Sequence, residues 1–317
     1  MILSLAPMEG ITEHTFRRVH AACFGKLDRY YIPFVVPPRV GSPFSGRIMR
    51  ELDPAANEGL DAVPQLITKN AEEFAWAAKL LADMGYREVN LNAGCPSGTV
   101  VSKGKGAGFL RDPGRLEAFL DAVCAGSPLP VSVKTRIGFA DDEEWEEILA
   151  IYCRHPLAEL IVHPRVRTDM YRNIPRQEAY GKTLEEAPFP VAYSGDIFSC
   201  AAYDALVDAY PKTRHVMLGR GILANPALGR MIEGGPAATA EELDSFQQKL
   251  FSALEEEMGG NAVLRMKEWW SYARFAFADP LAVQRVIRKV RKVAEYEEAA
   301  SWIFQNLPLA DEAVFHG

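Results

Sequence analysis

The residue with the sharpest chemical potential is Cys95, in the run Asn92-Ala93-Gly94-Cys95-Pro96. It precedes a stretch, 97–106, that contains glycine together with Lys103 and Lys105. A thiol there can serve as an acid or as a nucleophile, or be an inert loop thiol, and spacing alone leaves these open. The glycines suggest a mobile loop able to close over a substrate. Other polar and basic groups stand at the ends of short apolar runs: Pro7-Met8, Gln65, Asn92, Lys134 and Arg136, His163 and Arg165, Ser194-Gly195-Asp196, and Gly219-Arg220-Gly221.

These groups need a frame that brings the ends of many short segments to one place. Strand-like runs fall at 2–6, 30–36, 62–67, 88–91, 130–134, 160–163, 191–193 and 215–218. Helical patterns lie between them, for example at 71–84, 113–125, 141–153 and 201–209. Strand and helix alternating about eight times predicts an α/β fold of the (βα)8 TIM-barrel type. A doubly wound open sheet is the runner-up, disfavoured because no GxGxxG follows the first strand. In such a barrel the ends of the strands form the active face. The glycine turns after strands seven and eight match the usual phosphate site, with Arg220 adding charge. The alternative is that these glycines only close tight turns. A phosphate-bearing cofactor with a flat ring fits the remainder. Lys134 would stabilise negative charge on a reduced flavin, Gln65 and Asn92 would bond the ring edges, and Met8 would pack on its face.

Gly234-Gly235-Pro236 interrupts the alternation, and only helical patterns follow, at 240–258, 262–277 and 281–300. The chain therefore reads as a catalytic barrel, 1–235, followed by a small all-helical domain, 236–317. On one helix spanning 281–300, Arg285, Arg288, Lys289 and Lys292 would share a face beside a valine and isoleucine stripe. Such a ridge suits a phosphate backbone, against the plainer reading of a solvated face balanced by nearby glutamates. Arg265 and Lys267 flank Trp269, Trp270 and Tyr272, where the aromatics read as packing and the two cations as further RNA contacts.

Bulk properties set limits. The 317 residues are 48% hydrophobic and 24% charged, with a formal net charge of −7. This composition is that of a globular protein and argues against wholesale coating of nucleic acid, so an RNA partner would need a local basic surface. Five cysteines without a CxxC pair argue against a disulfide framework or structural zinc, and no metal is expected. Cys23, Cys124, Cys153 and Cys200 fall in helical patterns and read as small buried hydrophobes. No apolar run approaches the roughly 20 residues of a membrane span. The first residues lack a basic n-region, so a cytoplasmic protein is expected.

Taken together the motifs resemble the tRNA-dihydrouridine synthase family, as a divergent bacterial member. The matching pieces are Ala6-Pro7-Met8-Glu9-Gly10, Pro64-Gln65-Leu66, Asn90-Leu91-Asn92-Ala93-Gly94-Cys95-Pro96-Ser97, Ser132-Val133-Lys134-Thr135-Arg136, Val162-His163-Pro164-Arg165, Ser194-Gly195-Asp196 and Leu218-Gly219-Arg220-Gly221. The resemblance implies an FMN-binding barrel, reduced by NADPH, that converts uridine in tRNA to 5,6-dihydrouridine with the help of a helical domain. Hydride goes from the flavin to C6 of an extruded uracil, and a cysteine protonates C5. On that pattern Cys95 is the acid. Pro7, Met8, Gln65, Lys134, His163, Ser194, Gly195, Asp196, Gly219 and Arg220 are flavin positions. Asn92 and Arg165 face the uracil. Pro164 stands where the family commonly has glycine, and Ser194 where it commonly has asparagine. Arg167 and Tyr171, just beyond, read equally as RNA contacts or exposed residues. The alternatives are an FMN barrel acting on a small molecule, a synthase acting on another structured RNA, and a non-enzymatic RNA-binding module.

Overall fold

Each of the eight short runs carries at least one β-branched or aromatic residue, and each forms a strand. The computed structural model describes residues 1–316. Its strands are β1 (Ile2–Leu5), β2 (Arg29–Val35), β3 (Ala62–Leu66), β4 (Val89–Ala93), β5 (Val131–Gly138), β6 (Glu159–Val166), β7 (Val191–Tyr193) and β8 (His215–Leu218). They pair in that order in one closed barrel, all observed pairs parallel. The Ile2 amide donates to the Arg214 carbonyl at 2.8 Å, joining the first strand to the start of the last. Helices separate the strands, including His14–Phe24, Ala71–Asp83, Pro113–Gly126, Trp145–Cys153 and Cys200–Ala209. The expected (βα)8 architecture is therefore present.

β5 and β6 run on to Gly138 and Val166, past the end of their apolar sequence. Arg136 and His163 are register partners on these extensions, and the register slips before Gly138 pairs with Val166. Pro164 lies at that slip. β6 last pairs with β7 at Val162, so a residue without an N–H is tolerated there.

Residues in register on adjacent strands share a face. Ala6, Tyr31, Val63, Ile161, Ala192 and Met217 form the buried cluster that fills the barrel. Lys134 pairs with Ile161 on one side and Asn92 on the other, so both polar residues also face the interior. The N-terminal end is closed by a satisfied charge network. Arg29 pairs with Glu88 and Asp61, both at 3.1 Å. Glu159 accepts from Tyr31 at 3.0 Å and faces His215 Nδ1 at 2.8 Å. Charge gathered at this end serves stability, leaving chemistry to the other.

The chain forms two compact units that interleave in sequence. The first is Met1–Pro7, Asp28–Gly195 and Tyr210–Met217; the second is Met8–Leu27, Asp196–Ala209 and the chain from Leu218 onward. The 236–317 segment thus shares its unit with the helix His14–Phe24 and the turns after β7 and β8. Within it run the helices Ala240–Met258, Ala262–Ala273, Pro280–Ile287 and Val293–Asn306. Thr239 and Glu242 form a reciprocal cap on the first, and Asp279 caps the third. Trp269 and Trp270 are buried, as the packing reading expected. None of the described helices is long and apolar enough to cross a membrane.

Two expectations are corrected by this architecture. The helix expected over 281–300 is two helices with a break at residues 288–292, so Arg285, Arg288, Lys289 and Lys292 do not share one helical face. The cause is tertiary: Lys267 Nζ donates to the carbonyls of Arg288 and Val290 at 2.9 Å each, and Val290 is buried. The four basic residues are nonetheless all exposed. The helical cysteines are partly exposed rather than buried, and all are free thiols.

Candidate active site at the C-terminal mouth of the barrel

Cys95 follows β4 directly, and Asn92 fixes its backbone. The Asn92 Oδ1 accepts from the amides of Gly94 at 3.1 Å and Cys95 at 2.9 Å, an Asx turn that ends the strand. The Asn92 Nδ2 donates to Gln65 Oε1 at 2.8 Å. The following stretch is not a free lid. A helical turn, Gly98–Val101, and a 3-10 segment, Gly106–Arg111, tuck Val101, Ala107, Phe109 and Leu110 into the core. Gly106 has φ +56°, and a Cβ there would come within 2.9 Å of the Cys95 carbonyl oxygen. Glycine at 106 therefore serves close packing against Cys95, which corrects the expectation of a mobile glycine-rich loop. Lys103 is exposed and Lys105 partly so.

Lys134 lies next to Asn92 in register. Its Nζ has no hydrogen bond or ion pair among the described residues. Loss of hydration inside the barrel mouth, and to a lesser degree the charge of Arg136, bring its pKa down to about 8, with Cys95 acting in the opposite direction. A lysine so placed lacks a counter-charge.

Arg136 is almost fully buried and binds three carbonyls: Gly94 at 3.1 Å, Val166 at 2.9 Å and Met170 at 2.5 Å. It ties the segments after β4 and β6 together. Burial brings its pKa down to about 10. Its guanidinium also lies 5.3 Å from the Tyr171 ring centre. Arg165, 1% exposed, donates to the Asn173 carbonyl at 2.5 Å and lies 3.1 Å from His163 Nε2. Tyr171 sits 6.2 Å from the His163 ring and is 49% exposed. Its neighbour Met170 is the one non-glycine among the described residues at positive φ, +55°. Asp169 is the nearby carboxylate, but Arg176 and Asn173 already engage it and hold its pKa below the usual carboxylate value. The mouth thus holds Lys134, whose charge has no anionic partner among the described residues, beside the almost fully buried Arg136, and such a cation suits an anionic ligand.

Gln65 is fully buried and donates to Asn90 Oδ1 at 2.7 Å. With its bond from Asn92, one N–H of each amide remains for a ligand, less than the sequence alone suggested. The Ser194 amide donates to the Val162 carbonyl at 2.9 Å, and a Cβ on Gly195 would lie 2.8 Å from the Tyr193 hydroxyl. Pro7 is half-buried at the end of β1.

In the second unit, Met8 opens a tight turn, with its amide donating to Thr12 Oγ1 at 2.8 Å. Arg220 is paired with Asp196 at 2.5 Å and flanked by the rings of Phe198 and Phe315, each centred 5.2 Å away. Its charge is therefore already partnered, which limits the role expected of it at a phosphate. A Cβ on Gly221 would fall 2.2 Å from the Ile197 carbonyl oxygen, so glycine there answers to packing. Gly219 precedes the short helix Arg220–Ala224. Arg265 donates to the Gly10 carbonyl at 2.9 Å and faces Glu13 and Glu268 at 3.6 Å. With Lys267 bound to two carbonyls, both expected RNA contacts are occupied within the protein.

The sequence did not reveal the bridging role of Arg136 or the Met170–Tyr171 turn. The available signal was a second cation, Arg136, two residues beyond Lys134 and so on the same face of the strand.

The closed parallel barrel resembles solved structures of morphinone reductase (TM-score 0.53, 13% identity, 75% of this chain and 87% of that one). A variant of NCR from Zymomonas mobilis matches similarly (TM-score 0.52, 14% identity, 75% and 88%). At such identities the likeness speaks to the fold. Probable tRNA-dihydrouridine synthase of Staphylococcus epidermidis is 32% identical over 227 residues, 70% of this chain and 69% of that protein. Probable tRNA-dihydrouridine synthase 2 of Bacillus subtilis is 30% identical over the same length and shares. The model of the family described as Dihydrouridine synthase (Dus) matches residues 4–306. With the barrel, the Cys95 turn and the cationic mouth in place, the chain belongs to the dihydrouridine synthase family.

Proposed function

We propose that this protein reduces uridine to 5,6-dihydrouridine in tRNA, with Cys95 as the proton donor. The observation that carries the reading is Lys134: a lysine inside the barrel mouth, with lowered pKa and no anionic partner, beside the Cys95 turn. FMN suits that uncompensated charge. Lys134 would face its electron-rich edge, the remaining N–H groups of Gln65 and Asn92 would bond polar ring atoms, and His163 would line the same mouth. Pro7, Met8, Ser194, Gly195, Asp196, Gly219 and Arg220 are proposed as the further flavin positions from the family pattern. When bound, the flavin supplies a two-electron reductant that NADPH replenishes.

The chain's own residues do the rest. Cys95 holds a proton on Sγ for C5 of the uracil, and Asn92 sets its position through the Cys95 amide. General-acid work of this kind calls on the protonated thiol, not on the thiolate that acts as a nucleophile. Arg165 and Asn92 are proposed to face the uracil, joined by Arg136 and Tyr171, where a half-exposed ring offers a stacking surface to an extruded base. Buried cations at the mouth favour a base whose flanking phosphates are close.

RNA is proposed to be gripped by the 236–317 helical domain through Arg285, Arg288, Lys289 and Lys292, all exposed, with Lys103 and Lys105 as further contacts from the 1–235 barrel. The test is Cys95→Ala. It is expected to retain flavin absorbance and NADPH oxidation while losing dihydrouridine formation on unmodified tRNA, measured by mass spectrometry. Dihydrouridine at the wild-type rate would overturn the acid assignment. Turnover of free enones without RNA would instead point to a small-molecule reductase.

A further inference from the structure

The bond from Asn92 to Cys95 is one end of a longer chain inside the barrel. Asn92 Nδ2 donates to Gln65 Oε1, 2.8 Å, and Gln65 Nε2 donates to Asn90 Oδ1, 2.7 Å. Asn90 Nδ2 donates to Ser132 Oγ, 2.8 Å, and the Ser132 hydroxyl donates to Glu88 Oε1, 2.5 Å. Glu88 lies at the opposite end of β4 and opens to a hollow of about 720 Å³ at the N-terminal end of the barrel. Gln65, Asn90 and Ser132 are wholly buried and Asn92 is 7% exposed.

The chain can run in only one direction. Backbone N–H groups at Gly94 and Cys95 can only donate, so Asn92 must present its oxygen to them and its nitrogen to Gln65. The same logic passes from amide to amide and requires a pure acceptor at the far end. The Glu88 carboxylate is that acceptor, and it also pairs with Arg29 at 3.1 Å. Each link polarises the next, so loss of the terminal acceptor loosens every amide between it and Cys95.

We propose that Ser132 and Glu88 are positioning residues for Cys95, acting across the barrel through Asn90, Gln65 and Asn92. The proposal rests on the reading of Cys95 as the proton donor. It implies that the reaction is sensitive to residues at the closed end of the barrel, which touch neither uracil nor flavin.

Threonine and valine at position 132 have the same shape and differ in the hydroxyl, so the pair isolates the hydrogen bond. Ser132→Thr is expected to restore activity. Ser132→Val is expected to lower kcat for dihydrouridine formation about tenfold, the weight of one buried hydrogen bond, with KM for tRNA within about twofold. In flavin-loaded protein, the rate of Cys95 alkylation by iodoacetamide, mapped by mass spectrometry, is expected to change at least about threefold in the valine variant, while Cys124 stays constant. If both variants lose flavin through overpacking, Ser132→Ala, which only removes atoms, is compared with wild type on the same two readouts. Equal kcat and equal Cys95 alkylation with and without the hydroxyl overturn the proposal. Failure of the underlying reading looks different: Cys95→Ala would then keep wild-type turnover, and the alkylation readout would still decide whether Ser132 sets the geometry of Cys95.

Discussion

Replacing Lys134 by methionine should stabilise the flavin-free protein while weakening flavin binding. The shift of Lys134 from 10.5 to about 8 measures what it costs to hold this charge in the barrel mouth. At about 1.4 kcal/mol per unit this is about 3 kcal/mol. The sign follows from the direction. Unfolded lysine is protonated throughout the neutral range, and the folded state resists that proton, so the charge works against folding below pH about 8 and ceases to matter only above the unfolded value. Because the side chain is half-buried, water at the mouth recovers part of the penalty, leaving about 2 kcal/mol. Methionine keeps the length of the stem, removes the charge and ends its repulsion with Arg136. The thermal midpoint of flavin-stripped Lys134→Met should therefore rise by about 3 °C at pH 7. Flavin affinity should fall by about 10- to 100-fold, the weight of a charge-assisted hydrogen bond, read by quenching of flavin fluorescence. A lower midpoint in the stripped variant, or unchanged flavin affinity, would refute the view that Lys134 is a cation kept without a partner for an anionic ligand.

His20 offers a pH test remote from the site. It is fully buried, bonded through Nε2 to the Pro226 carbonyl at 2.9 Å, and its pKa is pushed down to about 4 because burial disfavours the charged ring. Its contribution is complete above the unfolded value of 6.5 and is lost as pH falls from there through about 4, amounting to about 3 kcal/mol. Urea unfolding of His20→Phe should show a correspondingly shallower decline between these limits, and an unchanged slope would show that His20 does not carry it. For the RNA surface, Arg288→Gln, Lys289→Gln and Lys292→Gln together should weaken tRNA binding at low salt. They should also reduce the slope of log affinity against log salt by roughly 1 for each phosphate no longer neutralised. An unchanged slope would remove the 288–292 segment from the interface.

Much of the fold was legible because its signals are local. Short apolar runs alternate with helical patterns, and strand pairing follows once eight such units repeat, so β7 and β8 fall at the expected residues. Cys95 and Lys134 were legible as site residues for the same reason: each stands at the end of a recognisable strand, and a barrel sends those ends to one mouth. What escaped was whatever depends on a partner distant in sequence. The ridge over 285–292 obeyed helical spacing, but Lys267, 21 and 23 residues away from the carbonyls it binds, ends the helix before the spacing is used. Arg220 carried the expected charge, but Asp196, 24 residues earlier, had already taken it.

The sequence by itself determined the order of strands and helices, the barrel they close into, and the polar residues that end each strand, because periodicity and turn chemistry act over a few residues. Only the tertiary structure decided which cations stay without a partner, which loop is packed and which is open, and how Cys95 is held. Those outcomes rest on side chains that meet across strands, as when the chain from Glu88 reaches Cys95 through residues of β3, β4 and β5.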